Sequence, residues 1–177
     1  MSVVAILVCL VMIAIDQITK LIAFHNLKPI ESIEIIQNIF SLTFVENRGA
    51  AFGLFQGGRW FFVITTIFVL VGLVIYYTKL PQGKVYNWLR VSLVMILAGA
   101  VGNFIDRLRQ GYVIDFFHAT FIEFPVFNVA DVYLVCGTAL LSVLTIFFVK
   151  DEKEADVETE SIVEAEAVED IIEKGQS

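Results

Sequence analysis

The chain has 177 residues, 58% of them hydrophobic and only 18% charged, against about 45–50% apolar residues in a soluble domain. Its net charge of −7 divides unevenly, with −9 on residues 151–177 and +2 on residues 1–150. That excludes an acidic soluble protein, offers no basic face for nucleic acid, and leaves an apolar membrane body with an acidic, solvated tail, disordered or loosely helical.

A membrane-spanning helix needs about 17–25 mostly apolar residues, and the first candidate is Val3–Phe24. It starts without a basic n-region and has no small-residue cleavage site, so it reads as a retained helix and not a cleaved signal peptide. Its outer third carries "DQITK" at 16–20. Asp16, Thr19 and Lys20 fall at i, i+3 and i+4 and share a face, where Lys20 can satisfy Asp16. Taken alone, Lys20 is long enough to snorkel to the interface, as is Arg109; Gln17 and Glu46 read as packing residues.

The connection His25–Arg59 is too long for a helical hairpin. It holds "SIEII" and "FSLTFVEN", β-branched and alternating, which predict short strands and a small sheet at the membrane surface. "ENRGAAF" follows at 46–52, then an uncharged span, Trp60–Tyr77. The third span, Trp88–Ile105, is interrupted only by Arg90 and runs into "GAVGNFIDR" at 99–107. Gly99, Asn103, Asp106 and Arg107 share a helical face, and Gly99 and Gly102 allow a neighbouring helix close. Asp106 is expected to pair with the adjacent Arg107. The connection Asp106–Asp131 is compact and aromatic, contains Pro125, "VIDF" at 113–116 and "FNVAD" at 127–131, and reads as a lid. Val132–Val149 is the fourth span. Trp60, Tyr76, Tyr77, Trp88 and Tyr133 suit the interfacial belt. Cys9 and Cys136, both in apolar runs, read as small buried hydrophobes.

Four spans put both termini on one side. Lys79, Lys84, Arg90, Lys150 and Lys153 are matched in number by Lys28, Arg48, Arg59, Arg107 and Arg109 on the other, and setting Arg48 and Arg107 aside as site residues tips the balance toward cytoplasmic termini. Following the chain out and back, Asp16, Asp106 and Asp131 all lie near the outer helix ends, and Asn47 and Asp115 come from loops on that side. Four Asp and three Asn (Asn47, Asn103, Asn128) at one depth exceed what packing explains.

The two histidines, His25 and His118, are isolated, no Ser/His pair or metal spacing is present, and no loop is built to cradle phosphate. Carboxylates supported by amides remain, the equipment of an aspartic protease, in which two carboxylates share a proton. Asp115 lies among apolar residues that disfavour its ionised form, whereas Asp131 opens a helix whose free N–H groups favour the anion.

The ordered set DQITK, ENRGAAF, GAVGNFIDR, VIDF and FNVAD, spread over four spans, resembles the bacterial lipoprotein signal peptidase (signal peptidase II) family across residues 3–150. The resemblance implies an all-α polytopic membrane protein, with four transmembrane helices and a small extracytoplasmic β-sheet, the β-cradle, between helices 1 and 2. It implies a four-helix membrane peptidase domain at 1–150; the acidic, disordered cytoplasmic tail expected at 151–177 lies outside the resemblance. The implied activity is aspartyl endopeptidase cleavage of diacylglyceryl-modified prolipoproteins just before the lipidated cysteine, without metal or cofactor. Asp115 and Asp131 match the catalytic pair; Asn47, Asn103, Arg107 and Asn128 match positions lining the site; Asp16, Lys20 and Asp106 match supporting positions, with Gly99 in the same motif. The resemblance also implies a bacterial cytoplasmic membrane, both termini cytoplasmic, a site near the outer leaflet, membrane lipid as surroundings and inhibition by globomycin. A monomer that binds no nucleic acid is expected.

Two other readings stand beside it. An ion-coupled transporter also carries carboxylates in a helix bundle, but nearer the midplane and often in inverted repeats, which this sequence lacks. A non-catalytic scaffold gives no reason for two Asp residues in opposed environments.

Overall fold

A computed structural model describes residues 1–49 and 58–148. Its elements, in order, are α1 (Val3–Asn26), β1 (Ser32–Ile36), β2 (Phe40–Asn47), α2 (Arg59–Lys79), α3 (Lys84–Arg109), β3 (Val113–Ala119) and α4 (Val129–Phe147). All four helices are long and apolar enough to cross a membrane. The acidic tail at 151–177 and residues 50–52 of "ENRGAAF" lie outside the described residues.

The helix α3 is the axis of the bundle. In its most apolar stretch 61% of residues are buried, against 11% in each of the other three helices, and Leu89, Leu93 and Ala98 are fully enclosed. The remaining helices turn Val, Leu, Ile and Phe side chains outward, among them Val3, Phe61 and Phe68. Water would expel such a surface, whereas a bilayer solvates it. Glycines set the helix spacing. A Cβ at Gly99 would collide with the Ala130 carbonyl and stand 2.8 Å from Leu134 Cγ, and one at Gly102 would collide with the Asp16 carboxylate. α1 and α4 therefore approach α3 at these glycines, as the sequence predicted.

Helix ends follow local chemistry. The Ser2 hydroxyl accepts from Ala5 N at the start of α1. α3 begins at Lys84, four residues before the predicted Trp88, and Arg90 reaches back to donate to the Leu80 and Pro81 carbonyls at 2.7 Å, fixing the α2–α3 turn. α4 begins at Val129, three residues before the predicted start, because Asn128 caps it. Tyr77, expected at the interface, is buried in the core. Cys136 is exposed and Cys9 only half-buried, so neither is the enclosed hydrophobe expected.

The sheet has order β1-β2-β3, antiparallel throughout. "SIEII" and "FSLTFVEN" are β1 and β2, and the turn between them is closed by Asn38 with φ of 56°, its N–H donating to the Glu34 carboxylate. The third strand was not foreseen. It comes from the α3–α4 connection, so the sheet is not confined between helices 1 and 2. Strand β3 pairs along β2, with Val45 opposite Asp115 and Asn47 opposite Val113. Its Ile114 and Phe116 pack on Ala23 and Leu27 at the C-terminal end of α1. Phe127 bridges back to Phe117, returning the chain to α4.

Candidate active site

Asp131 is placed by the first turn of α4. Asn128 and Asp131 form a reciprocal capping box: the Asn128 side-chain oxygen accepts from Asp131 N at 3.0 Å, and Asp131 Oδ2 accepts from Asn128 N at 3.1 Å. Asp115 is placed by β3 and is 2% exposed. Its Oδ2 accepts from Asn47 Nδ2 at 2.9 Å and its Oδ1 from Asn128 Nδ2 at 2.6 Å. Asp131 Oδ1 accepts from Asn103 Nδ2 at 2.8 Å. Each of the four carboxylate oxygens thus holds one N–H bond from an asparagine. Neither group is free to rotate, yet a carboxylate oxygen has a further lone pair for water or a proton.

Burial, reinforced by the nearby Asp131 carboxylate, pushes Asp115 from the usual 3.8 up to about 7, against the lowering effect of its two amide partners. Asn128 links the two carboxylates, accepting from Asp131 N and donating to Asp115, so the two groups lie in one hydrogen-bonded network.

Behind this pair stands a buried ionic cluster. Lys20 Nζ lies 2.9 Å from Asp16 and 3.2 Å from Asp106, and donates to Asn103 Oδ1 at 2.9 Å. Lys20 does not snorkel to the interface, being 1% exposed; three acceptors converge on it and make burial tolerable. Asp106 does not pair with Arg107. Neighbouring helix residues point about 100° apart, so Asp106 turns inward to Lys20, Ile114 N and Gln17, while Arg107 turns to the opposite side. Arg107 donates to the Gly49 carbonyl at 3.3 Å and sits over the Phe62 ring at 4.7 Å. Asp16 accepts from Ala130 N at 2.9 Å, tying α1 to the first turn of α4. Gln17, read from sequence as packing, bonds Asp16, Asp106 and the Gly102 carbonyl and seals the junction.

Both carboxylates open onto a groove of about 870 Å³ between α2 and α4, floored by α3 and roofed by residues 124–127 and β2. Away from the carboxylates its walls are apolar, with Phe62 and Val69 from α2 and Val132 and Val135 from α4. Sequence reasoning assigned α2 no part in the site; its contribution is this wall, including Thr65 and Thr66, and an uncharged span carries no motif that would announce it. Glu46 lies at the rim, where Lys28 and then Arg48 hold its carboxyl below the usual range. His118 lies 3.4 Å from the Ser41 hydroxyl on the sheet, away from the pair.

A family model described as signal peptidase (SPase) II matches residues 8–148. The chain belongs to the signal peptidase II family. It is 48% identical over 146 residues to a lipoprotein signal peptidase of Caldanaerobacter subterraneus subsp. tengcongensis, covering 81% of this chain and 96% of that one. It is 44% identical over 144 residues to that of Clostridioides difficile, covering 81% and 95%. A solved bacterial membrane enzyme matches the fold with a TM-score of 0.74 at 36% identity, over 81% of this chain and 87% of the other. As a signal peptidase II, this chain is a protease and a bacterial multi-pass membrane protein. The span shared with the family model contains α2, α3, α4, the sheet and every polar residue of the cluster described above.

Proposed function

We propose that the protein is an aspartyl endopeptidase that removes the signal peptide of diacylglyceryl-modified prolipoproteins, cutting just before the lipidated cysteine, with Asp115 and Asp131 as its catalytic pair. The observation that carries this reading is the set of four asparagine N–H bonds, one on each carboxylate oxygen, at the head of a lipid-sized apolar groove. The pair holds one proton. Its ionised member takes a proton from water as the oxygen attacks the scissile carbonyl, while its protonated member hydrogen-bonds the carbonyl oxygen. Collapse of the tetrahedral intermediate breaks the C–N bond and returns a proton to the leaving amine. Arg107, at the groove wall, is positioned to contact substrate carbonyls; Gly99 keeps α4 close enough for Asp131 to reach Asn103.

In this reading both termini are cytoplasmic and the carboxylates stand near the outer leaflet. A diacylated substrate cannot leave the bilayer, so its scissile bond presents itself at that depth. Buried acyl chains contribute about 0.8 kcal/mol per methylene, and the apolar walls of α2 and α4 supply the surface. Binding energy from these non-reacting chains holds the scissile carbonyl between the carboxylates. The enzyme works as a monomer without metal or cofactor, and globomycin blocks it by filling the same groove.

The test compares one prolipoprotein with and without its diacylglyceryl group, in the same detergent and over the same time course. Cleavage confined to the lipidated form, and abolished in folded Asp115→Asn and Asp131→Asn proteins, is expected. Equal rates on both forms would remove the lipid from the recognition, and activity in either variant would remove the pair.

A further inference from the structure

An asparagine side chain has nearly the same shape with its amide either way round, so its orientation is set by what surrounds it. For Asn128 the helix decides: the Asp131 backbone N–H can only donate, so the Asn128 oxygen faces it and the Asn128 NH2 faces Asp115. Asn103 has no such backbone contact. Its oxygen accepts from Lys20 Nζ at 2.9 Å and from Asn128 Nδ2 at 3.1 Å, and its NH2 donates to Asp131 at 2.8 Å. Asn128 divides its NH2 between Asp115, at 2.6 Å, and Asn103, so the ammonium is the closer and the charged partner.

We propose that Lys20 is a positioning residue for the carboxylate pair, acting through Asn103 by fixing which end of that amide faces Asp131. This rests on the peptidase reading above. An ammonium has three N–H groups and accepts nothing, and here they meet Asp16, Asp106 and Asn103. The two carboxylates hold the cation in place, which leaves one N–H directed at the Asn103 oxygen. Reversing the amide would set its NH2 against the ammonium and the Asn128 NH2, and its oxygen against the Asp131 carboxylate. The charge also polarises the amide, strengthening the bond that Asn103 gives Asp131. α1 thus influences the reaction without touching substrate.

A double-mutant cycle tests this, run in Asp106→Asn protein so that adding Lys20→Met leaves the cluster with the net charge of the native trio. In that background Lys20→Met and Asn103→Ala should each lower kcat on the order of tenfold to a hundredfold, with KM little changed. Together they should do no more than the worse of the two, because the second change removes a link already broken. Lys20→Met should also move the alkaline limb of the rate profile to higher pH, a change that a merely structural residue does not produce. Losses that multiply, or an unmoved limb, would overturn the proposal.

Should Lys20→Met fail to fold, the charge-keeping Lys20→Arg protein, labelled with 15N in its asparagine side chains, gives the second reading. Its Asn103 NH2 signals, assigned by their loss in Asn103→Ala, should leave their native positions together with a fall in kcat, because the relocated cation no longer aims one N–H at the Asn103 oxygen. Signals and kcat that do not change together would overturn the assignment. Activity in Asp115→Asn or Asp131→Asn would instead defeat the peptidase reading itself, so the two failures are distinguishable.

Discussion

Asp115 and Asn128 share the shortest hydrogen bond of the site, 2.6 Å from the Asn128 amide to Asp115 Oδ1, and Asn128 is the same residue that caps the helix bearing Asp131. One side chain therefore starts a helix, orients one carboxylate and contacts the other. Asn128→Asp keeps a good cap but replaces a donor facing Asp115 with a third acceptor. Because Asn128 is fully buried, the new carboxyl faces Asp115 without a donor between them; the variant should lose nearly all activity and melt below the native protein, the more so as pH rises. Asn128→Ala should lose activity and also about 1 kcal/mol of stability from the missing cap. Melting curves and peptidase assays on both variants separate the two roles.

Activity should decline as pH rises through about 7. Asp115 is held up to about 7 by burial and by the nearby Asp131, and the proposed mechanism needs one proton on the pair. Above that point the pair is doubly ionised and the proton donor is gone. A kcat profile on diacylated substrate should fall with unit slope on its alkaline side.

The same shift makes stability depend on pH, with a fixed sign. A carboxyl whose folded value is raised binds more proton in the folded state between the unfolded value of 3.8 and about 7. Folding is therefore favoured at the acid end of that window and loses stability as pH climbs through it. The detergent-purified protein should melt at a lower temperature at pH 8 than at pH 5. Asp115→Asn, with nothing to titrate there, should show a smaller difference.

Gly102→Ala should destabilise the bundle and reduce activity together, because its methyl group meets the Asp16 carboxylate and stands 3.2 Å from Ala130 Cβ. Overpacking of this kind costs about 1–3 kcal/mol. Gly72→Ala is the control: nothing lies within 4 Å of the added carbon, so the rate should stay native and the melting temperature should hold or rise slightly, alanine being the better helix former.

Removing residues 153–177 should leave peptidase activity nearly intact. In the proposed topology this acidic segment lies across the membrane from the carboxylates. Measured rates for the truncated and full-length proteins at equal concentration decide it.

The sequence revealed those features whose signals are local. Four apolar runs announce four helices, and the β-branched alternation of "SIEII" and "FSLTFVEN" announces two strands. The strand "VIDFFHA" was hidden because Val113 to Phe116 are buried in succession; a strand covered on both faces loses its alternation and looks like an aromatic loop. Asp16, Asn47, Asn103, Asp115, Asn128 and Asp131 were identifiable as polar groups converging at one level. Their wiring was not, since Lys20 meets Asp106 and Asn103 across more than eighty residues of chain. Asp106 beside Arg107 looked like an ion pair only because sequence adjacency conceals the turn between consecutive helix positions.

The capping box at the start of α4 has a consequence for biosynthesis. Asp131 acquires its position only when α4 forms, and α4 is the last of the described helices in chain order. A growing chain that has delivered α1, α2, α3 and β3 carries Asp115 and most of the groove, yet it has no second carboxylate and no Asn128 to hold the first. With Asp115 and Asp131 as the proposed catalytic pair, such a chain is inert toward the peptides around it. In the proposed mechanism, incompleteness plays the part that an inhibitory pro-segment plays in a secreted protease: the site is whole only once the first turn of α4 has been made.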